Sequence, residues 1–264
     1  MNSNLEKQLR NDFSTNRQSL HNNTNLFIVN QSDVGFLTYN NNKLAINVLS
    51  NKILFRSSNE KLIEILENKY KDYPAAWFFE LPNILKLQDI LTKFDMSIKN
   101  MGPIYVPDQK FKRIESHYNF IRIDRSDFYK FKEISNMCFA FDEGYYKDKE
   151  ALAFYDKEKL IGLAGVNVNS KYLWEFGVEK FSYDKEYKDI MPIIVNNLAH
   201  LVIKENPRII PIYATQFSHI KSINLANKAG FKMAIAFISA DWILLKKTNT
   251  NISLGLSFYK YIVY

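Results

Sequence analysis

The chain has one cysteine, Cys138, which excludes an internal disulfide framework and any cysteine-based zinc site. Its four histidines, His21, His117, His200 and His219, stand far apart and show no metal-ligand spacing. Eight glycines in 264 residues argue against repeats and low-complexity linkers. No apolar run approaches the roughly 20 residues that a membrane-spanning helix needs. The opening MNSNLEKQLRND is charged and lacks the apolar centre of a signal peptide. These absences predict a cytoplasmic protein with no bound metal and no membrane partner.

What is present is a chain able to fold. Hydrophobic residues make up 47% and aromatics 15%, enough for a packed core in one large domain or two ordinary ones. The net charge of +7 permits an anionic partner, but Lys and Arg are interleaved with Asp and Glu, as in Lys147-Asp148-Lys149-Glu150 and Asp156-Lys157-Glu158-Lys159. That pattern reads as a solvated surface and argues against a nucleic-acid partner. A polyanionic small molecule would still benefit from the field.

Hydrophobic patterning divides the chain into blocks. Residues 1–24 read as a short helix (Leu5–Phe13) and a loop. A smaller α/β N-terminal domain over 25–110 would carry strands at Phe27–Val29, Val34–Tyr39, Lys43–Val48, Ile53–Arg56 and Ala75–Glu80, with helices at Lys61–Lys69 and Asn83–Phe94. The segment Lys99–Gln109, with Pro103 and Pro107, reads as a connection between domains. A second domain over 111–247 would carry a strand at Tyr118–Ile123, a helix at Ser126–Met137 and a hairpin of Ala151–Asp156 with Leu160–Val168. After these come a strand at Trp174–Glu179, a helix at Ile190–Ile203, a strand at Ile209–Thr215, a helix ending at Ala229-Gly230-Phe231, and a long strand or strand pair at Met233–Lys246. The fold class is α+β, a mixed sheet with flanking helices. The tail, 248–264, reads either as an edge strand or as a docking arm.

Within that order, the segment from Glu150 to about Trp242 resembles the GNAT acyltransferase superfamily, and most of all its two-domain bacterial members. The resemblance is carried by Leu160-Ile161-Gly162-Leu163-Ala164-Gly165, Trp174-Glu175-Phe176-Gly177-Val178-Glu179, Pro211-Ile212-Tyr213-Ala214-Thr215, and Ser222 through Gly230-Phe231. It implies an acyl-CoA donor, usually acetyl-CoA, a small-molecule amine or peptide acceptor, and direct attack between two splayed strands. The N-terminal block would then shape the acceptor site or a homodimer contact.

The resemblance also assigns residues. Glu175 matches the strand that supplies a general base; a partly dry cleft would raise its pKa, although a solvent-facing glutamate fits the pattern equally. Glu179 is a weaker second carboxylate. Tyr213 would protonate the leaving thiolate, or simply pack. Phe176, Gly177 and Val178 would present backbone groups to the pantetheine arm, with Gly177 marking either a bulge or a close backbone approach. His219 stands where the family usually has Asn, and Ser222 follows it. The pyrophosphate loop departs from the pattern: Ser182 through Pro192 contains no glycine, Pro192 removes an amide donor, and Asp184, Glu186 and Asp189 add negative charge. Lys185 and Lys188 would have to hold the phosphates as point charges. Cys138 has no partner nearby in sequence that would make it a nucleophile. The same residues allow a second outcome, a GNAT-fold module that binds acyl-CoA or a protein partner without turnover.

Overall fold

A computed structural model describes residues 2–31 and 35–243. Ten strands form one mixed sheet: β1 (Leu26–Val29), β2 (Leu44–Val48), β3 (Ile53–Ser57), β4 (Met96–Pro107), β5 (Ile121–Arg122), β6 (Asp148–Asp156), β7 (Lys159–Val168), β8 (Leu173–Lys180), β9 (Ile210–Ala214) and β10 (Phe231–Trp242). Their order across the sheet is β1-β3-β2-β10-β4-β9-β8-β7-β6-β5. Only β1–β3 and β8–β9 run parallel; the other pairs are antiparallel. Among the described residues six helices flank it: α1 (Ser3–Asp12), α2 (Arg17–His21), α3 (Glu60–Tyr70), α4 (Leu81–Thr92), α5 (Ile190–Glu205) and α6 (Ile220–Lys228).

Alternation along the strands decides which face each helix covers. Leu44, Ile46, Ile53, Phe55 and Ile238 pack under α3 and α4, where Leu62, Ile63, Leu66 and Tyr70 form the buried stripe of α3. That helix is opened by Asn59, whose side chain accepts the Leu62 N–H at 3.0 Å. Leu54, Phe237, Leu173 and Ile212 face the other way, toward Leu5 and Leu9 of α1. At the far end of the sheet, Ile161, Val166, Trp174 and Phe176 pack against Ile190, Ile194, Val195 and Leu198 of α5.

Five expected elements are absent or changed. Lys99–Gln109 is mostly strand: its residues as far as Pro107 lie in β4, which pairs with β10 on one side and β9 on the other. Pro103 fits because its carbonyl accepts the Thr215 N–H (3.2 Å) just beyond the last β4–β9 pair, Ile104 with Ala214. A residue there would place its N–H on that same side, where the ladder has ended. Ala75–Glu80 is not a strand but a 3-10 turn over Ala75–Trp77; its apolar signal comes from Phe78, which plugs the core against Phe55 and Tyr70 at ring distances of 5.6 and 5.3 Å. The strand expected over Val34–Tyr39 is a 3-10 turn over Thr38–Asn40 where it is described, because its polar groups bond to side chains of other elements. Ser126–Met137 is a 3-10 segment over Arg125–Phe131 followed by irregular chain, with no side-chain cap from Asp124.

The strand expected over Tyr118–Ile123 shrinks to Ile121–Arg122, and the Tyr118 side chain instead reaches across to donate its hydroxyl to the Glu186 carbonyl at 2.9 Å. Met233–Lys246 is a single strand as far as Trp242, with register shifts at Met233/Ile235 and Ser239/Ala240; the residues from 244 onward, including the tail, lie outside those described. Strands from residues 25–110 and from 111–243 alternate at the centre of one sheet, where β10 and β9 enclose β4. No helix among the described residues is long and apolar enough to cross a membrane.

Candidate functional site

The two parallel strands β8 and β9 pair through Leu173–Ile210, Trp174–Pro211 and Glu175–Ile212, and no further. Beyond Glu175 they diverge. β9 turns to pair with β4 at Tyr213–Tyr105 and Ala214–Ile104, while β8 stays with β7 as far as Lys180. The helix after β8, α5, packs over β7, β8 and β9. The expected V-shaped gap between strands is therefore present, with Glu175 at its apex.

The gap is filled. On the α5 face the rings of Phe176 and Tyr213 lie 6.4 Å apart across it, and Phe231 meets Phe176 edge-on at 5.8 Å. All three are at least 94% buried. On the other face, the chain at Met137–Cys138 crosses Gly177: a Cβ there would lie 1.8 Å from the Met137 carbonyl oxygen. The β7–β8 register runs through Gly177 without a shift, so this glycine marks a close backbone approach and not a bulge. A Cβ on Gly165, directly opposite on β7, would likewise lie 2.2 Å from the Cys138 carbonyl oxygen.

Glu175 is buried on the α1 face. Its carboxylate accepts the Tyr39 hydroxyl at 2.6 Å and the Asn169 side-chain amide. Burial raises its pKa, and those two hydrogen bonds oppose the rise. Asn169 also accepts the Thr38 N–H at 3.1 Å, so the carboxylate anchors the Thr38–Asn40 turn. Glu179 accepts the Ser135 hydroxyl and the Asn136 N–H (2.8 Å), which pins the strap that leads to Met137. Cys138 is the buried end of that strap, and desolvation pushes its thiol well above the usual range.

Tyr213 shares a hydrogen bond with Ser222 of α6 at 3.0 Å, and burial pushes its phenol up to about 12. Val178 is half-buried, and His219 is exposed at the start of α6, 3.5 Å from the Thr215 hydroxyl. Lys185 and Lys188 are exposed beside a 3-10 turn over Lys185–Tyr187. Two amides of that turn, of Tyr187 and Lys188, already bond to the carbonyls of Asp184 and Lys185. Asp184 and Asp189 pair loosely with Lys159 and Lys228, both at 3.8 Å.

The structure thus gathers Glu175, Phe176, Gly177, Tyr213 and Ser222 around the gap, and leaves Lys185, Lys188 and His219 at the surface. An extended chain lying between two strands needs about twice the 4.8 Å strand spacing. Rings in contact across the gap leave no such lane, and Pro192 removes one amide donor from the first turn of α5. The residues present do not fit an acyl-CoA arm. Sequence reasoning missed Tyr39, Asn169 and the Met137–Cys138 strap. Placing LIGLAGVNV opposite WEFGVEK in hairpin register would have revealed the Gly165–Gly177 pair; nothing in sequence ties Tyr39 to Glu175. An open groove of about 370 Å³ lies elsewhere, between the 113–122 segment and Asn197 and Leu201 of α5.

The fold is similar to GNAT-family acetyltransferases. An acetyltransferase from the GNAT family of Colwellia psychrerythraea shares 12% identity at a TM-score of 0.43, covering 60% of this chain and 62% of its own. A GCN5-related N-acetyltransferase-like protein from Streptococcus suis 89/1591 shares 14% at 0.38, with 73% and 72% covered. A GCN5-related N-acetyltransferase from Kribbella flavida shares 12% at 0.39, with 58% and 62% covered. The match takes in less than two thirds of the Colwellia and Kribbella chains. No protein-family model and no curated protein matches the sequence. At these scores the functional reading rests on the gap itself.

Proposed function

We propose that this chain is a GNAT-like module that neither binds nor turns over acyl-CoA. The observation that carries the reading is the contact of the buried Phe176 and Tyr213 rings across the β8–β9 gap. Consistent with it, Glu175 is spent on Tyr39 and Asn169 and is sealed from any acceptor amine. The test is a thermal-shift and calorimetric titration with acetyl-CoA and with CoA, alongside a thiol-release assay over a panel of amines and peptides. No response up to millimolar ligand is expected. Saturable stabilisation with thiol release would overturn the reading.

A second reading, an acyltransferase acting on an amine, is favoured by one observation: a buried carboxylate with a raised pKa sits at the apex of the diverging strands. In that case Glu175 would take the acceptor's proton. Thiol release by the wild type that falls in Glu175→Gln, with little loss of CoA affinity, would select this reading. The part played by residues 25–110, in an acceptor site or in a homodimer contact, belongs to the same proposal.

A further inference from the structure

Seven buried side-chain polar atoms have no hydrogen-bond partner among the described residues, and four of them belong to residues on adjacent strands: Nε and Nη2 of Arg56, Oδ1 of Asn47 and Oγ of Ser239. Buried polar atoms are nearly always satisfied, so such a concentration points to a missing partner. The four share one face of three adjacent strands. Ala45 of β2 lies opposite Arg56 of β3 and opposite Ser239 of β10, and Asn47 is two residues along from Ala45. Arg56, Asn47 and Ser239 are fully buried, and Ala45 contributes only a methyl group between Arg56 and Ser239. The row then ends at Asn100 of β4, which faces Ser239 and is exposed, so the site lies one strand from solvent.

The chemistry of the four atoms is specific. Nε–H and Nη2–H occupy one edge of the guanidinium, the fork that takes two oxygens of an oxyanion side-on. The Phe36 ring covers the guanidinium face at 4.8 Å, leaving that edge as its polar outlet. Asp12 is near, but its oxygens are taken by Gln8 (2.6 Å), Asn40 (2.8 Å) and the Leu37 N–H (3.1 Å), and Arg56 makes no ion pair among the described residues. Burial pulls the guanidinium down only to about 10, so it is cationic at neutral pH. Asn47 already donates its amide to Asn40 at 2.7 Å, so its free oxygen requires a donor. The partner must therefore accept twice from Arg56 and donate once to Asn47. Ser239 can do either.

We propose that Arg56, Asn47 and Ser239 form a binding site for a small oxyanion that also carries a hydroxyl, the chemistry of bicarbonate and of hydrogen phosphate. The site shares no side chain with the β8–β9 gap and stands whichever reading of that gap holds.

The test uses the full chain in bicarbonate, phosphate, acetate and chloride at matched ionic strength, read by thermal unfolding and by arginine side-chain 1H–15N spectra. Arg56 is the one buried arginine among the described residues, so its Nε–H is identifiable by slow exchange. Bicarbonate or phosphate should raise Tm saturably and shift that resonance, and which of the two binds tighter tells the sources apart. Chloride should do neither, and acetate, lacking the hydroxyl, should bind at least about tenfold more weakly. Arg56→Lys keeps the charge without the fork and should lose at least about tenfold in affinity. An unmoved Nε–H signal in wild type overturns the site, as would an equal response to chloride, equal affinity for acetate, or undiminished binding in Arg56→Lys. If the variant does not fold, the wild-type resonance decides alone.

Discussion

Gly165 of β7 and Gly177 of β8 stand directly opposite each other, and the Met137–Cys138 backbone crosses the sheet over both. A side chain at either position would meet a carbonyl carbon or oxygen, which cannot rotate away as a side-chain tip can. Gly177→Ala should therefore destabilise the fold by about 3 kcal/mol, the upper part of the overpacking range. Gly144→Ala is the control, because a Cβ there would come no nearer than 3.0 Å to any neighbour, and that neighbour is the side-chain carboxylate of half-buried Asp142 and not backbone. Urea unfolding of the two variants should separate them clearly; equal midpoints would mean that the strap gives way without cost.

Asp12 gives the fold a pH dependence with a definite sign. Desolvation raises its carboxyl to about 6 from an ordinary 3.8, against the pull of its bonds from Asn40 and Gln8. The folded state thus holds the proton more tightly than the unfolded chain. This contribution is complete below about pH 4 and is lost as pH rises through about 6, a swing of about 3 kcal/mol. Glu6 and Asp108 have lowered values and act in the opposite direction, so the raw curve mixes signs. The wild-type stability minus that of Asp12→Asn isolates the term, and it should fall between pH 4 and 7. A flat difference would remove Asp12 from this role.

Much of this architecture was readable because helices and hairpins obey local rules. α3 shows its stripe at Leu62, Ile63 and Leu66, and the β6–β7 hairpin turns at Lys157, whose φ of 54° its loop position tolerates. The errors arose where distant partners decide. Pro103 reads as a strand breaker, yet β4 tolerates it because the neighbouring ladder ends there. Phe78 reads as strand and serves as a plug. At the candidate site, Glu175, Phe176 and Tyr213 were legible as neighbours across a gap. That their rings meet, and that the carboxylate is claimed by Tyr39, 136 residues away in sequence, depends on packing that no local pattern encodes.

The Tyr39–Glu175 bond couples the Thr38–Asn40 turn to β8. Tyr39→Phe keeps the ring that stacks on Phe237 at 4.2 Å and removes only the hydroxyl donor. Glu175 would then retain Asn169 as its remaining side-chain donor and its pKa should rise further, because an opposing hydrogen bond is lost. The expected cost is about 1–3 kcal/mol at neutral pH. It should shrink as pH falls and the carboxyl protonates. A cost that does not change with pH would show that the hydroxyl matters through packing alone.

Phe176→Ala asks whether the rings are what closes the β8–β9 gap. Removing the ring deletes its contacts with Tyr213 and Phe231 and should cost about 3–5 kcal/mol, the range for a buried phenylalanine. It would also open a lane beside Gly177 on the α5 face. If ring closure alone excludes an extended thioester, the variant should gain an acetyl-CoA-dependent thermal shift that the wild type lacks. A variant that loses stability and stays silent to CoA would place the barrier at the α5 start. There the glycine-free turn already spends the Tyr187 and Lys188 amides, and Asp184 and Asp189 oppose phosphate. Combining Phe176→Ala with Asp184→Asn and Asp189→Asn should then restore a CoA response if charge is the remaining obstacle.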